Sequence, residues 1–597
     1  MKKHILALAG LLAGAMMVTS CSQARLDEVE HLGVTEVDKT YAEADDMTAQ
    51  QLIANVYVTA KYLMMGDWGV HYIATTSAKT AECWPGGSGP NDGTDYHRMS
   101  AMIDDSENNA YKEMYTRFYK IMYKCNMIVD KLNDGSDERK RVIAEAKAWR
   151  AWAMMRLTQL WGSAPLVDHV LDGINYSFYP GNSNPADNWK WIMTQFDEAA
   201  TVLPSKSGLG GQKAIGGRWT AEACFAYKGQ GYMWQNDYAN AKVELAKVIN
   251  SGKYELWEKT ATMGPSSYGT NMQLAKSQNE NWSDGNEEYE YLTLYRAEAD
   301  FCDEFLLELD IDGDATTITS TEPYWFRAYM NWRKDEVNLP GNTTTASDGF
   351  VNPTRTFGYA FAKHDGNSVR RRAAIATYSE VYHDFPYLNK DVRGVMSSML
   401  FENEGYFRMK YYDYVDDVVP ERFASGQTNG NRTNFPLMRY ADVLLLYAEA
   451  VCMSGEGTAN ISGLEALNKV RRRAGLTDAP ALDMDNAEYG IKAERRFELW
   501  LEDCSRYVDL IRWGDYKKFI TDTSIDGVSE HWGNECAWLV GLKDATKRTT
   551  DPTDWSNYEV RYDPLSTRGT WSDRFYLWPF PYAETTQNPN LDQNTGW

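Results

Sequence analysis

The sequence predicts a mainly α-helical fold in which helix pairs are stacked, with an irregular, loop-rich subdomain and few short strands. Three observations carry this prediction. Apolar residues recur with helical spacing in several paired segments, and this periodicity is lost between about residues 255 and 430. The chain is also long enough to bury a large core, because 43% of its 597 residues are apolar and only 24% are charged.

The N-terminus predicts secretion followed by lipid anchoring. Lys2 and Lys3 precede the apolar run Ile5–Val18, which is too short to span a bilayer and has the form of a signal peptide. Residues 18–21 read Val-Thr-Ser-Cys, which resembles the lipobox of bacterial lipoproteins. This resemblance implies that Cys21 is lipidated and becomes the first residue of the mature chain.

The remaining chain is expected to form one domain built from two interleaved parts. An acidic cluster after Cys21 is similar to the surface-export signal of Bacteroidetes lipoproteins, and a plain solvated tether would look the same. We therefore predict these parts: signal peptide 1–20, lipidated acidic tether 21–40, and a domain over 41–597, with a helical scaffold at about 41–254 and 431–521 and loop-rich parts at about 255–430 and 522–597.

Helical periodicity identifies the scaffold. The predicted pairs lie at 114–132 with 142–160, within 218–250, and within 435–473, and further helices lie at about 45–64 and 488–513. The second pair fits the tetratricopeptide pattern, so Gly229 and Ala241 should lie where its helices approach closely. Lys228 departs from that pattern, since the repeat prefers Leu there.

Charge and motif content exclude several classes of function. The net charge of −23 would repel nucleic acid, so DNA and RNA are poor partners. Apart from Cys21, the cysteines are scattered without metal-site spacing, and no nucleophile elbow, zincin, P-loop or dinucleotide fingerprint occurs. The sequence therefore identifies no catalytic residues, although glycosidases often lack short motifs and are not excluded on this ground.

Several ordered motifs then point to a family. They are Glu145–Ala151, Gly162–Leu166, Phe435–Ala450, Leu467–Gly475, Glu494–Leu499, Asp509–Gly514 and Tyr576–Pro581. Together they resemble the SusD/RagB family, the lipid-anchored outer-membrane nutrient-binding proteins of Bacteroidetes. The resemblance implies tetratricopeptide-like helix pairs and a lid on a SusC-like TonB-dependent transporter. It also implies capture of oligosaccharides or polysaccharide, or of peptides in some members, without cleavage.

Most charged residues in the C-terminal motifs are interpreted as structural. Their helical spacing permits buried ion networks, and arginine favours bidentate pairing with carboxylates. The residues concerned are Arg439, Asp442, Arg495, Arg496, Glu498, Arg506 and Asp509.

A neutral sugar needs aromatic platforms for its apolar face and polar groups for its hydroxyls. Three loop regions combine both, and Gly and Pro around Trp84 predict an exposed turn there. The family's ligand sites are similar in being built from loops after the first helix pair and from the middle region. The candidate ligand-binding residues are Asp67, Trp68, Trp84, Asp92 and Tyr96 in the first region, Trp282 and Tyr295 in the second, and Tyr324, Trp325 and Trp332 in the third.

Two weaker features complete the candidate list. Arg370 begins a basic run and could donate to sugar hydroxyls, although a salt-bridged surface turn explains it better. Asp310, Asp312 and Asp314 alternate like the oxygen ligands of a calcium loop, but Gly313 is misplaced for an EF-hand and Thr321 stands where the bidentate Glu belongs. A structural calcium ion is therefore the one possible cofactor.

Two other classes of protein stay open at this point. A surface glycoside hydrolase would need two carboxylates about 5 to 10 Å apart across a cleft, and 84 acidic residues allow such pairs. A purely structural tetratricopeptide adaptor would recruit proteins and bind no glycan. The family motifs favour a non-catalytic binder on the outer membrane that faces the cell exterior, with a glycan as its ligand or a peptide as the alternative.

Overall fold

Helices dominate the computed structural model, which confirms the predicted mainly α fold with few short strands. It describes residues 36–65, 72–89, 91–206, 217–257, 291, 294–295, 299–310, 349–384, 402–411, 434–521, 535–564 and 569–597. Within these ranges, none of the helices is long and apolar enough to cross a lipid bilayer.

The N-terminal half consists almost entirely of helices. Its elements are α1 Glu36–Ala42, α2 Asp46–Met65, α3 Tyr72–Ser77, β1 Cys83–Gly86, α4 Thr94–Ser100, α5 Asn109–Lys131, α6 Asp137–Trp161, α7 Pro185–Val202, α8 Ala221–Trp234 and α9 Tyr238–Ser251. The long helices start at side-chain caps, because Asn108, Ser136, Asn184 and Thr220 each accept a hydrogen bond from a first-turn N–H.

Shorter elements fill the second half. They are β2 Phe305–Leu309, β3 Phe350–Pro353, α10 Arg355–Asp365, α11 Val369–Ala374, β4 Ile375–Thr377, α12 Tyr378–Asp384, β5 Tyr406–Arg408, β6 Phe435–Arg439, α13 Tyr440–Ser454, α14 Gly463–Arg473, α15 Ile491–Glu498, α16 Ser505–Arg512, α17 Tyr516–Thr521, β7 Glu535–Leu542, β8 Tyr558–Pro564 and α18 Tyr582–Gln587. The described strands form antiparallel pairs: β1 with β3, β2 with β6, β4 with β5 and β7 with β8.

The long helices stack in chain order. Helix α5 packs on α6, α6 on α7, α7 on α8 and α8 on α9, while α2 covers α5 and α6. The predicted close approach is confirmed, because a Cβ built on Gly229 of α8 would lie 2.7 Å from Leu245 of α9. Lys228 also has a structural explanation: its Nζ lies 2.5 Å from Asp197 on α7 and 3.2 Å from Glu244 on α9.

The stack does not end at α9, because α9 packs directly on α13 and α13 on α14. The Nζ of Lys242 donates to the carbonyl oxygen of Glu456 at 2.8 Å, and the Asn460 amide donates to Asn250 at 2.7 Å. Residues 252–439 are therefore inserted between two helices that are neighbours in the stack.

Tryptophan supplies much of the bulk of the core. Trp149, Trp152 and Trp219 are fully buried and meet edge to face, with ring centroids 5.5 Å apart in both pairs that include Trp149. Trp161 and Trp578 repeat this geometry at 5.1 Å and join the first helix pairs to the C-terminal segment. Edge-to-face contact suits the ring quadrupole, so these residues serve packing rather than binding.

The structure differs from the sequence prediction in several elements. Helices α10, α11 and α12 lie within the segment predicted to be loop-rich, Phe435–Arg439 is a strand, and two helices of the scaffold also differ. Helix α7 was not predicted, although Asn184 and Pro185 form a typical helix start. The helix predicted at about 488–513 is divided into α15 and α16, because Leu501, Asp503 and Cys504 adopt positive φ values of 63°, 27° and 52°. Ion pairs of Glu502 and Asp503 with Arg439 and Arg156 hold this interruption.

Substituting Gly229→Ala should lower the free energy of unfolding by about 1–3 kcal/mol, because the new methyl group would displace Leu245 in a closely packed seam. Chemical denaturation measures this change. Gly89→Ala is the matched control, since a Cβ at Gly89 meets nothing within 4 Å. Equal stability of both variants would contradict the close approach of α8 and α9.

Candidate ligand-binding site

The β1–β3 pair is the described part of the first predicted binding region. Trp84 pairs with Asn352 and Gly86 with Phe350 across the two strands. Gly86 and Gly87 both have φ near 82°, and the Phe350 ring packs so closely that a Cβ on Gly87 would lie 2.9 Å from it. These glycines are therefore needed both for the turn and for the close approach of Phe350.

The exposed turn predicted around Trp84 is wrong. Trp84 is only 5% exposed and Tyr96 only 1%, because β3 pairs with β1 and Phe350 covers the turn from the other side. The Tyr96 ring meets Phe350 edge to face at 6.4 Å. In this structure both rings pack in the interior, and neither offers an open face for stacking on a sugar.

Asp92 stabilises the loop that follows. Its Oδ2 accepts hydrogen bonds from the backbone N–H of Ser88 at 2.9 Å and from the Ser88 hydroxyl at 2.8 Å. Asp92 is half-buried and lies beside Gly87, in the turn that follows β1. Its contacts within the described residues therefore give it a role in the shape of this loop.

Replacing Asp92 by alanine should lower the free energy of unfolding by about 1–2 kcal/mol, because two hydrogen bonds are lost. It should also weaken ligand binding if the 86–92 turn borders the site. Asp551→Ala is the matched control, since Asp551 accepts the same pair of bonds from Thr553. Equal affinity of both variants would show that this turn lies away from the ligand.

The buried carboxylate of Glu402 holds the turn at Gly86 in place. The Oε2 of Glu402 accepts the Gly86 N–H at 2.8 Å, and its Oε1 lies 3.4 Å from Nδ1 of His97. Burial alone would lower the pKa of His97, but the charge of Glu402 and its hydrogen bond outweigh burial and raise it. The pair thus joins β1 and α4 to the segment that leads into β5.

Several candidate residues lie outside the described ranges. These candidates are Asp67, Trp68, Trp282, Tyr324, Trp325 and Trp332. The predicted lipidation residue, Cys21, also lies outside the described ranges. The binding roles of the candidates stay predictions. The structure does describe the residues that flank the segments carrying the six ligand candidates, and it shows where those flanks meet.

The flanks converge on one region. Helix α3, which follows the segment with Asp67 and Trp68, contacts β3. Gly349, which follows the segment with Trp325, accepts a hydrogen bond from the Gly87 N–H at 3.1 Å. At the other end of that segment, Leu309 pairs with Phe435, and Tyr411 stacks on Phe435 at 5.6 Å. Strand β5 links the two places because it contacts β3 and leads into Tyr411.

A buried ionic cluster lies next to this region, because Arg439 of the cluster is on β6. Five cations, Arg370, Lys410, Arg439, Arg471 and Arg473, meet five carboxylates, Asp365, Glu304, Glu494, Glu498 and Glu502. Arg439 contacts Glu304 and Glu498 and binds Glu502 bidentately at 2.7 and 2.8 Å. Burial alone would raise the pKa of Glu498, but Arg473 and the neighbouring cations lower it to about 2.

Tyr295 and Arg370 belong to this cluster rather than to the surface. The Tyr295 hydroxyl donates to Glu502 at 3.2 Å, and Lys410 lies 4.7 Å from the ring centroid. Arg370 is fully buried and binds Asp365 bidentately at 2.8 and 2.9 Å. Arg370 is thus neither on a surface turn nor accessible to a sugar, because buried carboxylates surround its guanidinium group.

The cluster also holds the flanks of the segment that carries Trp282. The Trp257 amide donates to Glu304 at 2.7 Å, and the Tyr291 hydroxyl donates to Glu498 at 2.9 Å. Sequence reasoning missed these contacts, because no local pattern links residue 257 to residue 304 or residue 291 to residue 498.

The structural interpretation of the C-terminal charges is confirmed. Arg495 bonds Asp442 at 2.6 Å and Asp509 at 2.8 Å. Arg496 and Arg506 both donate through Nε to Glu82, at 2.7 and 2.8 Å. All of these side chains are buried or nearly so, and they join α13, α15 and α16 to the segment before β1.

The calcium motif lies mostly outside the described residues. Asp310 follows β2, whereas Asp312 and Asp314 are not described. Within the described ranges, no group of three or more His, Cys, Asp or Glu side chains is arranged to hold a metal ion. Calcium binding at residues 310–314 stays a prediction.

The fold and the converging flanks define a class: helical scaffold proteins with long inserted segments whose flanks meet in one region. The chain belongs to the SusD family, whose model matches residues 266–597. A second model, described as starch-binding and associating with the outer membrane, matches residues 30–208.

Individual relatives agree with this assignment. A SusD-like protein P38 of Formosa agariphila is 21% identical over 418 residues, which cover 67% of this chain and 71% of the relative. A laminarin-binding SusD-like protein superposes with a TM-score of 0.65 at 18% identity, over 92% of this chain and 99% of its own. A surface glycan-binding protein A of Bacteroides thetaiotaomicron, solved with laminarihexaose, gives 0.63 at 18% identity over the same shares. At such identity the likeness shows the fold.

Proposed function

We propose that this protein is a lipid-anchored glycan-binding protein of the outer-membrane surface. It captures oligosaccharides or polysaccharide without cleaving them and delivers them to a SusC-like TonB-dependent transporter. The observation that carries the proposal is the likeness, along nearly the whole chain, to a protein solved with a glucan oligosaccharide. Family membership and the second family description agree with it.

The described architecture supports a binding role. A rigid helical stack holds the flanks of aromatic-rich segments at one region, and function concentrates on such loops. The buried ionic cluster holds these flanks in place, so less conformational entropy is lost when a ligand binds. In this proposal Trp282 and Trp325 provide stacking faces, and Cys21 holds the protein at the membrane.

Affinity electrophoresis tests the proposal. The chain from residue 22 onward is run through native gels cast with a panel of polysaccharides that includes laminarin, and release of reducing sugars is assayed in parallel. Retardation by one glycan without sugar release would support a non-catalytic binder and identify its substrate class. Release of sugars would replace the proposal with a glycosidase, and retardation by none would favour a peptide ligand.

Removing one stacking ring should weaken binding severalfold. Trp325→Ala or Trp282→Ala deletes a platform that contributes roughly 1 kcal/mol or more. Isothermal titration with the retarding glycan measures the change, and a thermal melt shows that folding is retained. Tyr582→Ala is the control, since this ring is 53% exposed and lies on α18. Unchanged affinity in both tryptophan variants would remove these residues from the site.

A further inference from the structure

An exposed loop between α6 and α7 carries an unusual apolar surface. Four of its large side chains face solvent: Ile174 is 67% exposed, Tyr176 41%, Phe178 61% and Tyr179 51%. We call residues 173–184 the apolar loop; it contains no charged residue, in a chain of which 24% is charged. Four large exposed side chains within six residues mark an interaction site more often than a single exposed residue does.

The apolar loop has a defined shape. The Oδ1 atom of Asp172 accepts the backbone N–H groups of Ile174, Asn175 and Tyr176 at 2.8–3.0 Å. The Tyr176 ring stacks on His169 with centroids 4.5 Å apart, and Phe178 packs over Gly173. Because the backbone is fixed, the exposed side chains form a ready surface that loses little entropy on binding.

The carbonyl groups of Tyr179 and Pro180 and the side-chain amide of Asn182 are already used within the protein. The side-chain amide of Asn590 donates to the Tyr179 carbonyl at 2.8 Å, and that of Asn588 to the Pro180 carbonyl at 2.7 Å. Asn182 donates to Ser163 and Asp592, each at 3.0 Å. These amide donors are therefore occupied, and a sugar needs such donors for its hydroxyls. The surface suits an apolar protein partner better than a glycan.

Position and charge restrict the partner further. The loop leaves the body at the last turn of α5, where Asp130 accepts the Val170 N–H at 2.8 Å. The same end of α5 receives α1, because Asn133 donates to the Ala42 carbonyl at 2.8 Å. With Cys21 lipidated, the fifteen residue steps from Cys21 to Glu36 span at most about 50 Å, so the start of α1 and this end of α5 stay within about that distance of the membrane. A second mature copy would bring a charge more negative than the full chain's −23, because it lacks Lys2 and Lys3, and this charge opposes self-association.

We propose that the apolar loop docks on an integral outer-membrane protein whose exposed surface is apolar and uncharged. This inference rests on the proposed function and assigns a surface of this chain to its transporter partner. The contact contains no charged residue of the loop, so its strength should depend little on salt.

Site-specific cross-linking tests the contact. The full-length lipidated chain is produced in its native cell envelope with p-benzoylphenylalanine at position 178, or at position 243 as the control. Val243 is 43% exposed on α9. We expect an adduct with an integral outer-membrane protein at position 178 and none at 243. An adduct only with lipid or with a second copy would overturn the proposal.

A paired substitution provides the second test. We measure how much integral membrane protein co-purifies with each variant. The amount should fall at least tenfold in the double variant Ile174→Asn, Phe178→Asn and should equal that of the unmodified chain in Val243→Asn. Glycan retardation and thermal melting of the double variant should be unchanged. Unchanged recovery, or loss of glycan binding, would overturn the docking surface and leave the proposed function standing. If even the unmodified chain recovers no integral membrane protein, transporter delivery itself fails.

Discussion

Replacing Arg439 by alanine should lower the free energy of unfolding by about 3–5 kcal/mol. Arg439 bonds three carboxylates at once in a fully buried cluster, namely Glu304, Glu498 and Glu502. Without it, Glu502 loses its main counter-charge. Glu304 and Glu498, which also pair with Arg473, each lose one of their counter-charges. Denaturant unfolding at neutral pH measures the loss.

The matched control for this prediction is Arg472→Ala. Arg472 is also an arginine with two carboxylate partners, Glu465 and Asp478, but its side chain is 46% exposed. An exposed ion pair contributes about 0–1 kcal/mol, because water screens it. Similar losses in the two variants would mean that burial does not determine the strength of the Arg439 contacts.

Substituting Glu308→Gln should raise stability at pH 8 by on the order of 3 kcal/mol. Glu308 lies on β2 and is fully buried, and burial raises the pKa of its carboxyl group from 4.5 to about 8. Its oxygens accept the Phe301 N–H at 2.9 Å and the Asn434 side chain at 3.1 Å, contacts that lower the pKa only in part.

The pH dependence follows from the direction of this shift. Between pH 4.5 and 8 the folded state keeps the proton that the unfolded state has released, so stability falls as the pH rises through this window. Glutamine does not titrate, so the variant should lack this part of the slope. Unfolding measured at pH 5 and pH 8 tests the difference, with the exposed Glu465→Gln as control. Equal slopes in Glu308→Gln and the unmodified chain would contradict the raised pKa.

Local patterns predicted most of the scaffold. The helices that became α5, α6, α8, α9, α13 and α14 have apolar faces repeated at helical spacing, and this signal does not depend on distant residues. Helix α7 carries the same signal in Trp189, Ile192 and Phe196, together with its Asn-Pro start, so it could have been predicted as well.

The candidate site depended on contacts that no local pattern contains. The glycines around Trp84 predicted an exposed turn, but Phe350, more than 260 positions away, covers that turn. The basic run at Arg370 predicted a surface position, but in the structure Arg370 is buried and paired with Asp365 and Glu494. The division of α15 from α16 likewise depends on Arg439 and Arg156, which lie far away in the sequence. Buried partners brought from a distance decided each of these cases.

The direct packing of α9 on α13 has a consequence for how such proteins diversify. Because the two helices pair with each other, the stack is continuous whatever lies between residues 252 and 439. Lengthening a loop costs little free energy, since closure entropy grows only with the logarithm of length. The inserted stretch can therefore accept insertions, deletions and exchanged aromatic segments while the scaffold keeps its geometry, so ligand preference can evolve separately from folding.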